Sequence, residues 1–382
     1  MKLGLDLFLE ENYKQFIGKR IGLVTNMTGV NKHLTPAIDL FVQHPDIQIV
    51  ALYAPEHGIR GDVREGDQVD STIDPITNLP VYSLYGTSKK PTEEMLHHVD
   101  VMVFDLQDIG SRYYTFIYTM AYVMEACGEY GKEFVVLDRP NPISGMKMEG
   151  NLVEDDARSF VGLYPIPNRH GMTVGEIAQF YQGEIGITCD LVIVPMSGWN
   201  RNQYFNDTDL FWVSPSPNTT NIDMCTLYPG TCLIEGTNLS EGRGTTRPFE
   251  YVGAPFVDGY RLAQRFNALN MPGVLARPTS FIPTYQKYEG KICGGIQLHV
   301  VDRNKLNSFE VGVLLIELIA NMYPNDFSFL KHENGKYFFD LLAGTKKLRD
   351  SIINGKSNDF LSRCDEELER FKNQRKPYLL YN

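Results

Sequence analysis

Apolar residues in the first half of the chain fall into short unbroken runs, and each run ends on a polar tip. The clearest is Ile47-Gln48-Ile49-Val50-Ala51-Leu52-Tyr53, followed by Ala54-Pro55-Glu56-His57-Gly58. A stretch so rich in Ile, Val, Leu and Tyr predicts a buried strand. Pro55 has no N–H to give a ladder and Gly58 permits a turn, so the strand stops there. Glu56 and His57 therefore fall just past the carboxyl end of a strand, where open α/β sheets hold their ligands. The pattern recurs at 101–108, tipped by Asp105, Gln107 and Asp108, and at 133–140, tipped by Asp138 and Arg139. An earlier run, 20–26, ends at Asn26 before Thr28 and Gly29. Strands converging on one rim with charged and amide tips predict an enzyme.

Helical stretches separate these runs. The first 20 residues predict a helix ending near Gly18, and Thr35-Pro36 starts another through Val42. Further helices are expected over 91–98 and from Gly110 through Ala126. Alternation of this kind predicts an α/β fold with a parallel sheet. Val81–Gly86 reads as a short strand ending at Tyr85, and 190–195 as one more strand. Thr173 and Glu176 form a capping-box pattern just after His170-Gly171. Residues 58–78 exceed the usual connection length and suggest a flap over the site, while Arg139-Pro140-Asn141-Pro142 opens a rigid loop. Residues 199–221, with both tryptophans and several prolines, read as a linker. The division is thus 1–220, a catalytic domain, and 221–382, a smaller α+β domain completing the cleft. In the second part, helices are expected over 258–269, 309–322, 338–354 and 359–375, and strands over 274–278 and 294–300. Arg243 lies between glycines in the loop 240–249, either an anion-binding nest or an ordinary connection.

Composition narrows the function. At 382 residues the chain is too long for one ordinary core, and 43% hydrophobic with 22% charged residues is typical of a soluble globular protein. A formal charge of −11 without any basic run argues against nucleic acid as a partner. It leaves room for an anionic small substrate met by local arginines. The 21 tyrosines suit either a sugar-facing cleft or half-buried filler. The 6 cysteines show no CxxC pair, so neither a disulfide framework nor a structural zinc is expected. No run is long and apolar enough to predict a membrane span, and Met1–Asp6 lacks the apolar core of a signal peptide. The expected address is cytoplasmic, or periplasmic or secreted where a leader has been removed. No Gly-x-Ser-x-Gly elbow supports a serine hydrolase. Asn26-Met27-Thr28-Gly29 is not a dinucleotide or phosphate loop, and no cofactor is expected.

The candidate polar set is Glu56, His57, Asp105, Gln107, Asp108, Arg112, Arg139, Asn141, Glu149, His170, Glu235, Asn238 and Arg243. Carboxylates at the ends of apolar strands are costly unless paired or facing a cleft. Several in one site push their pKa values apart into an acid and a base, as glycosidic cleavage requires. Structural alternatives stand beside these roles. Glu56 would pair with an arginine to hold the long loop, Asp105 and Asp108 would form an ion pair with Arg112, and His170 would merely finish a strand. His57, His170 and Asp105 form a conceivable metal set, but without any ligand spacing.

The combination Thr25-Asn26-x-Thr28-Gly29, Pro55-Glu56-His57-Gly58, Asp105-Leu106-Gln107-Asp108-x-Gly110-x-Arg112-Tyr113-Tyr114, Asp138-Arg139-Pro140-Asn141-Pro142 and Glu235-Gly236-Thr237-Asn238 resembles the NamZ family. That family, formerly a domain of unknown function, comprises bacterial exo-β-N-acetylmuramidases of peptidoglycan recycling. The likeness covers nearly the whole chain in the expected order. It implies a Rossmann-like N-terminal domain, a smaller C-terminal domain and an active site between them. It implies release of a single N-acetylmuramic acid from the non-reducing end of peptidoglycan-derived glycan or muropeptide, with no cofactor and no metal. Glu56 falls on the family's candidate catalytic glutamate and would protonate the leaving oxygen, aided by a burial-raised pKa. His57 and Tyr85 would support it, and Asp105 or Asp108 would orient water or brace Arg112. Arg139, Arg112 and Arg243 are the nominees for the lactyl carboxylate. Tyr85, Tyr113 and Tyr114 would contact sugar faces, and Asn26, Gln107, Asn141, His170, Glu235 and Asn238 complete the substrate-binding set. The alternatives are a metal-dependent hydrolase, such as an amidase or phosphatase, and a muropeptide-binding protein without catalysis. The oligomeric state is not readable from the sequence.

Overall fold

The computed structural model describes residues 1–56, 58–60, 72–86, 88–332 and 335–382. His57 and most of the expected flap lie outside the described residues. Strands β1 (Arg20–Thr25), β2 (Gln48–Ala54), β3 (Thr72–Ile73), β4 (Pro80–Ser83), β5 (Val101–Asp105), β6 (Glu133–Leu137) and β7 (Asp190–Val194) form one sheet in the order β3-β4-β2-β1-β5-β6-β7. All neighbours pair in parallel except β3 with β4. The chain winds outward from β1 to β4 on one side, then returns to the centre and winds outward through β5, β6 and β7. This is the Rossmann-like topology, with its switch point between β1 and β5.

The apolar runs become central strands because both of their faces are covered. Leu23, Leu52, Val101, Val103 and Val135 pack on one face with Leu5 and Phe8 of helix Gly4–Glu10 and Ile38 and Phe41 of helix Ala37–Gln43. Their alternates Val24, Tyr53, Met102, Phe104 and Val136 face helices Phe116–Glu129 and Val174–Phe180. The Thr173 hydroxyl accepts from Glu176 N while the Glu176 carboxylate accepts from Thr173 N, so the capping box forms. Strands β8 (Tyr251–Ala254), β9 (Val274–Phe281) and β10 (Cys293–Val300) form a smaller antiparallel sheet, ordered β8-β10-β9 and packed with helices Gly259–Asn267 and Ser308–Met322. Among the described residues no helix is long and apolar enough to cross a membrane.

Several expectations need correction. The N-terminal helix ends at Glu10 and a 3₁₀ turn, Asn12–Phe16, follows. Residues 110–115 are not helical; the helix begins at Phe116 because this stretch is committed to hydrogen bonds such as Arg112 N to Asn168 O, 2.9 Å. Gly344, at φ 70°, splits the 338–354 stretch into helices Phe338–Ala343 and Lys347–Ile353. Residues 199–221 do not behave as a free linker, since Trp199, Tyr204 and Phe205 are buried and Trp212 Nε1 donates to Thr219 O at 3.0 Å. Helix Ile222–Thr231 follows at once and was hidden by Pro229 in its last turn. The final helix, Ser357–Arg375, folds back onto the large sheet: Arg375 Nη1 donates to Gly171 O at 2.5 Å, and the Tyr381 hydroxyl to Asp138 at 2.6 Å.

Candidate active site

A cavity of about 360 Å³ opens beyond the carboxyl ends of β2, β4 and β5, walled on its far side by the second half of the chain. Glu56 enters from the end of β2, Tyr85 from the end of β4, and Tyr113, Tyr114 and Thr115 from the loop after β5. Opposite them stand Cys232 and Glu235 of the 3₁₀ turn Cys232–Gly236, with Arg243 and Phe249 of the Gly-rich loop. Among the described residues that line the cavity, Glu56 and Glu235 are the carboxylates.

Half-buried Glu56 accepts the Thr115 hydroxyl on Oε2 at 2.9 Å. Glu235 takes Arg243 Nη2 on Oε2 at 3.1 Å and the Cys232 thiol on Oε1 at 3.4 Å. Arg243 also meets Glu241 at 3.3 Å, and its guanidinium lies 5.0 Å from the Phe249 ring centre. The Gly-rich loop uses several of its N–H groups internally. Its N–H groups at 242, 245, 247 and 249 bond to acceptors of the loop itself, and what it offers the cavity is a side chain. Burial holds the phenols of Tyr113 and Tyr114 above the ordinary range, so both are protonated donors at neutral pH. The Tyr113 hydroxyl is spent on Pro229 O at 3.0 Å, leaving its ring for a ligand.

The other nominated residues build the walls behind the cavity. Asp105 pairs with Arg139 in a buried fork, 2.6 and 2.8 Å, at the sheet's switch point, so the expected Asp105–Arg112 pair does not form. Arg112 is instead wholly buried and donates to four carbonyls, Asn151, Ile166, Leu342 and Ala343, at 2.7–3.0 Å. Asp108 accepts Gly110 N at 2.6 Å and meets His170 Nε2 at 3.2 Å. Met172 N donates to His170 Nδ1 at 3.2 Å, which puts the ring proton on Nε2, facing Asp108. Asn26 holds Thr28, Gln107 donates to Asp108 O and Pro140 O, and Asn141 bridges Met172 O and Ile143 N. Asn238 clasps Asp326 O and Ser328 N, and Glu149 pairs with Arg169. None of these side chains lines the cavity. Their polarity serves loop backbone that follows each strand and has no ladder partner of its own.

Of the three donors weighed for a metal, Asp105 is taken by Arg139, His170 by Asp108, and His57 lies outside the described residues. Among the described residues no group of three His, Cys, Asp or Glu is placed to hold an ion. Sequence reading missed Ser216, Asn218 and Thr219, which reach the cavity from the supposed linker, and Gln286 from the β9–β10 connection. None carries a local signal, because only the packing of the two halves brings them to the site.

Two carboxylates, Glu56 and Glu235, stand among aromatic walls in a cavity large enough for a small ligand, the kind of lining that enzymes of the glycoside hydrolase class use. The models of exo-β-N-acetylmuramidase NamZ match the chain along almost all of its length, the N-terminal unit over residues 21–223 and the C-terminal unit over 226–381. The chain belongs to the NamZ family of exo-β-N-acetylmuramidases. It is 49% identical over its full length to the peptidoglycan β-N-acetylmuramidase NamZ of Bacillus subtilis (strain 168), covering 91% of that protein. Two solved structures of DUF1343 family proteins from Bacteroides fragilis NCTC 9343 share the fold, each covered over 99% of its length by all of this chain. One is 38% identical with a TM-score of 0.92, the other 31% identical with a TM-score of 0.76.

Proposed function

We propose that the cavity receives one N-acetylmuramic acid residue at the non-reducing end of a peptidoglycan-derived glycan, and that Glu56 is the acid that releases it. The observation that carries this reading is the placement of Glu56 in the cavity with Oε2 fixed by Thr115; Oε1 is the oxygen we assign to present a proton to the glycosidic oxygen. Over one cycle that oxygen gains the proton and leaves C1, a water gives its hydroxyl to C1, and the remaining water proton restores the enzyme. Glu235, held by Arg243, is the second carboxylate and faces the positive charge that grows at C1. Of the three nominated arginines Arg243 lines the cavity, and it is our assignment for the lactyl carboxylate. The volume, about 360 Å³ against a range of roughly 300–1,000 Å³ for ligand pockets, suits one sugar better than a chain.

The test is time-resolved mass spectrometry of a MurNAc–GlcNAc disaccharide with wild type, Glu56→Gln and chelator-treated protein. Free MurNAc from wild type and from the chelated enzyme, with Glu56→Gln slowed by roughly 10²–10⁴, supports the assignment. A Glu56→Gln enzyme close to full activity removes Glu56 from the acid's role, and loss with chelator turns the reading toward a metal hydrolase.

A further inference from the structure

The connection between β9 and β10, residues 282–292, is held unusually firmly for a surface loop. Lys287 sends its ammonium into the carboxyl end of the 3₁₀ turn Cys232–Gly236, where it donates to Ile234 O at 3.2 Å, Glu235 O at 3.1 Å and Leu239 O at 2.9 Å. The same ammonium meets Glu241 at 3.0 Å. Glu241 in turn pairs with Arg243, and Arg243 with Glu235, so the loop is tied through alternating charges to the cavity wall. Tyr285 donates to Asn218 at 3.0 Å and Tyr288 to Asn238 O at 2.7 Å. Thr284 donates to Gly244 O through both its N–H and its hydroxyl, each at 2.9 Å.

Between these anchors the backbone takes a costly path. Gln286 and Tyr288 sit at φ 64° and 61°, in the left-handed region that larger side chains rarely enter. Strain of this kind persists only where the surroundings over-determine it, and it gathers at ligand clamps. Its product is a single exposed amide, Gln286, which lines the cavity. On the muramidase reading, a pocket sized for one sugar takes the non-reducing residue and leaves the scissile bond toward its open side. An exposed lining residue therefore faces what lies beyond that bond.

We infer that the β9–β10 loop recognises the leaving sugar, with Gln286 as the contact to its hydroxyl or acetamido groups and Lys287 as the positioning residue. This rests on the muramidase reading above and adds the leaving-group side of the substrate to it. The discriminating experiment compares kcat/KM on two substrates that share the MurNAc unit, the MurNAc–GlcNAc disaccharide and an aryl β-N-acetylmuraminide with a nitrophenyl leaving group. Gln286→Gly keeps the left-handed backbone without the amide. It should lower kcat/KM on the disaccharide about tenfold, the size of one lost hydrogen bond, and leave the aryl substrate within about twofold. Gln286→Asn, which tolerates the same backbone, should recover part of the loss. Equal losses on both substrates, or no loss on either, would overturn the inference. Wild type inactive on both would be a different failure, that of the muramidase reading itself.

Discussion

Arg112→Ala removes a guanidinium that ties the two halves of the chain together from inside. Its Nη1 donates to Asn151 O and Ile166 O, and its Nη2 to Leu342 O and Ala343 O at the end of helix Phe338–Ala343. Hydrogen bonds to a charged group contribute roughly 1.5–3 kcal/mol each, but removing them together lets water reach the orphaned carbonyls. Each buried carbonyl left unpaired costs about 1–3 kcal/mol, and with water reaching some of the four we take about 4–5 kcal/mol in all. At roughly 2 °C per kcal/mol for a chain of this size, the melting temperature should fall by about 8–10 °C. Arg112→Lys, a compact ammonium without the planar fork, should fall between wild type and alanine. The assay is thermal unfolding by circular dichroism, paired with kcat/KM measured well below the transition. An alanine variant that melts like wild type yet has lost its activity would refute the reasoning and return Arg112 to the substrate.

Burial raises the Asp138 carboxyl to about 7, against the opposing hydroxyl donors Tyr381 and Thr173. Because the folded-state value lies above the unfolded one, this group's contribution is full below the unfolded pKa and disappears as pH rises through about 7. Thermal melts at about pH 5 and about pH 8 should show wild type losing stability over that window, with a flatter slope for Asp138→Asn; identical slopes would contradict the assignment. Gly244, at φ 75°, leaves no room for a Cβ, which would come within 2.7 Å of Thr284 N. Gly244→Ala should therefore cost more than about 1 kcal/mol in denaturant unfolding and lower kcat/KM on the disaccharide more than on the aryl substrate. An alanine variant as stable and selective as wild type would show that the β9–β10 loop is not fastened where we place it.

Strand, helix and cap were legible where the cause is local. The run ending at Ala54 becomes β2 because every second side chain can be buried against helices on either face, and Pro55 then stops the ladder whatever the rest of the chain does. Thr173 and Glu176 close a capping box for the same reason, with all partners within three residues. Glu56 at a strand's carboxyl end follows from that alone. What the sequence left open was which polar residues at the rim look outward. Asp105, Arg112, Arg139 and His170 share their composition and their position after apolar runs with Glu56, yet they turn into the protein. The difference lies in partners far along the chain. Two of the carbonyls that claim Arg112 lie at Leu342 and Ala343, and the Arg139 fork closes on Asp105 from a neighbouring strand. Gln286, Ser216 and Thr219 reach the cavity only once the second half has docked. Local hydrogen bonding and hydrophobic period are written in neighbouring residues. The direction of a buried polar side chain depends on which distant backbone groups need a donor, and folding the whole chain settles that.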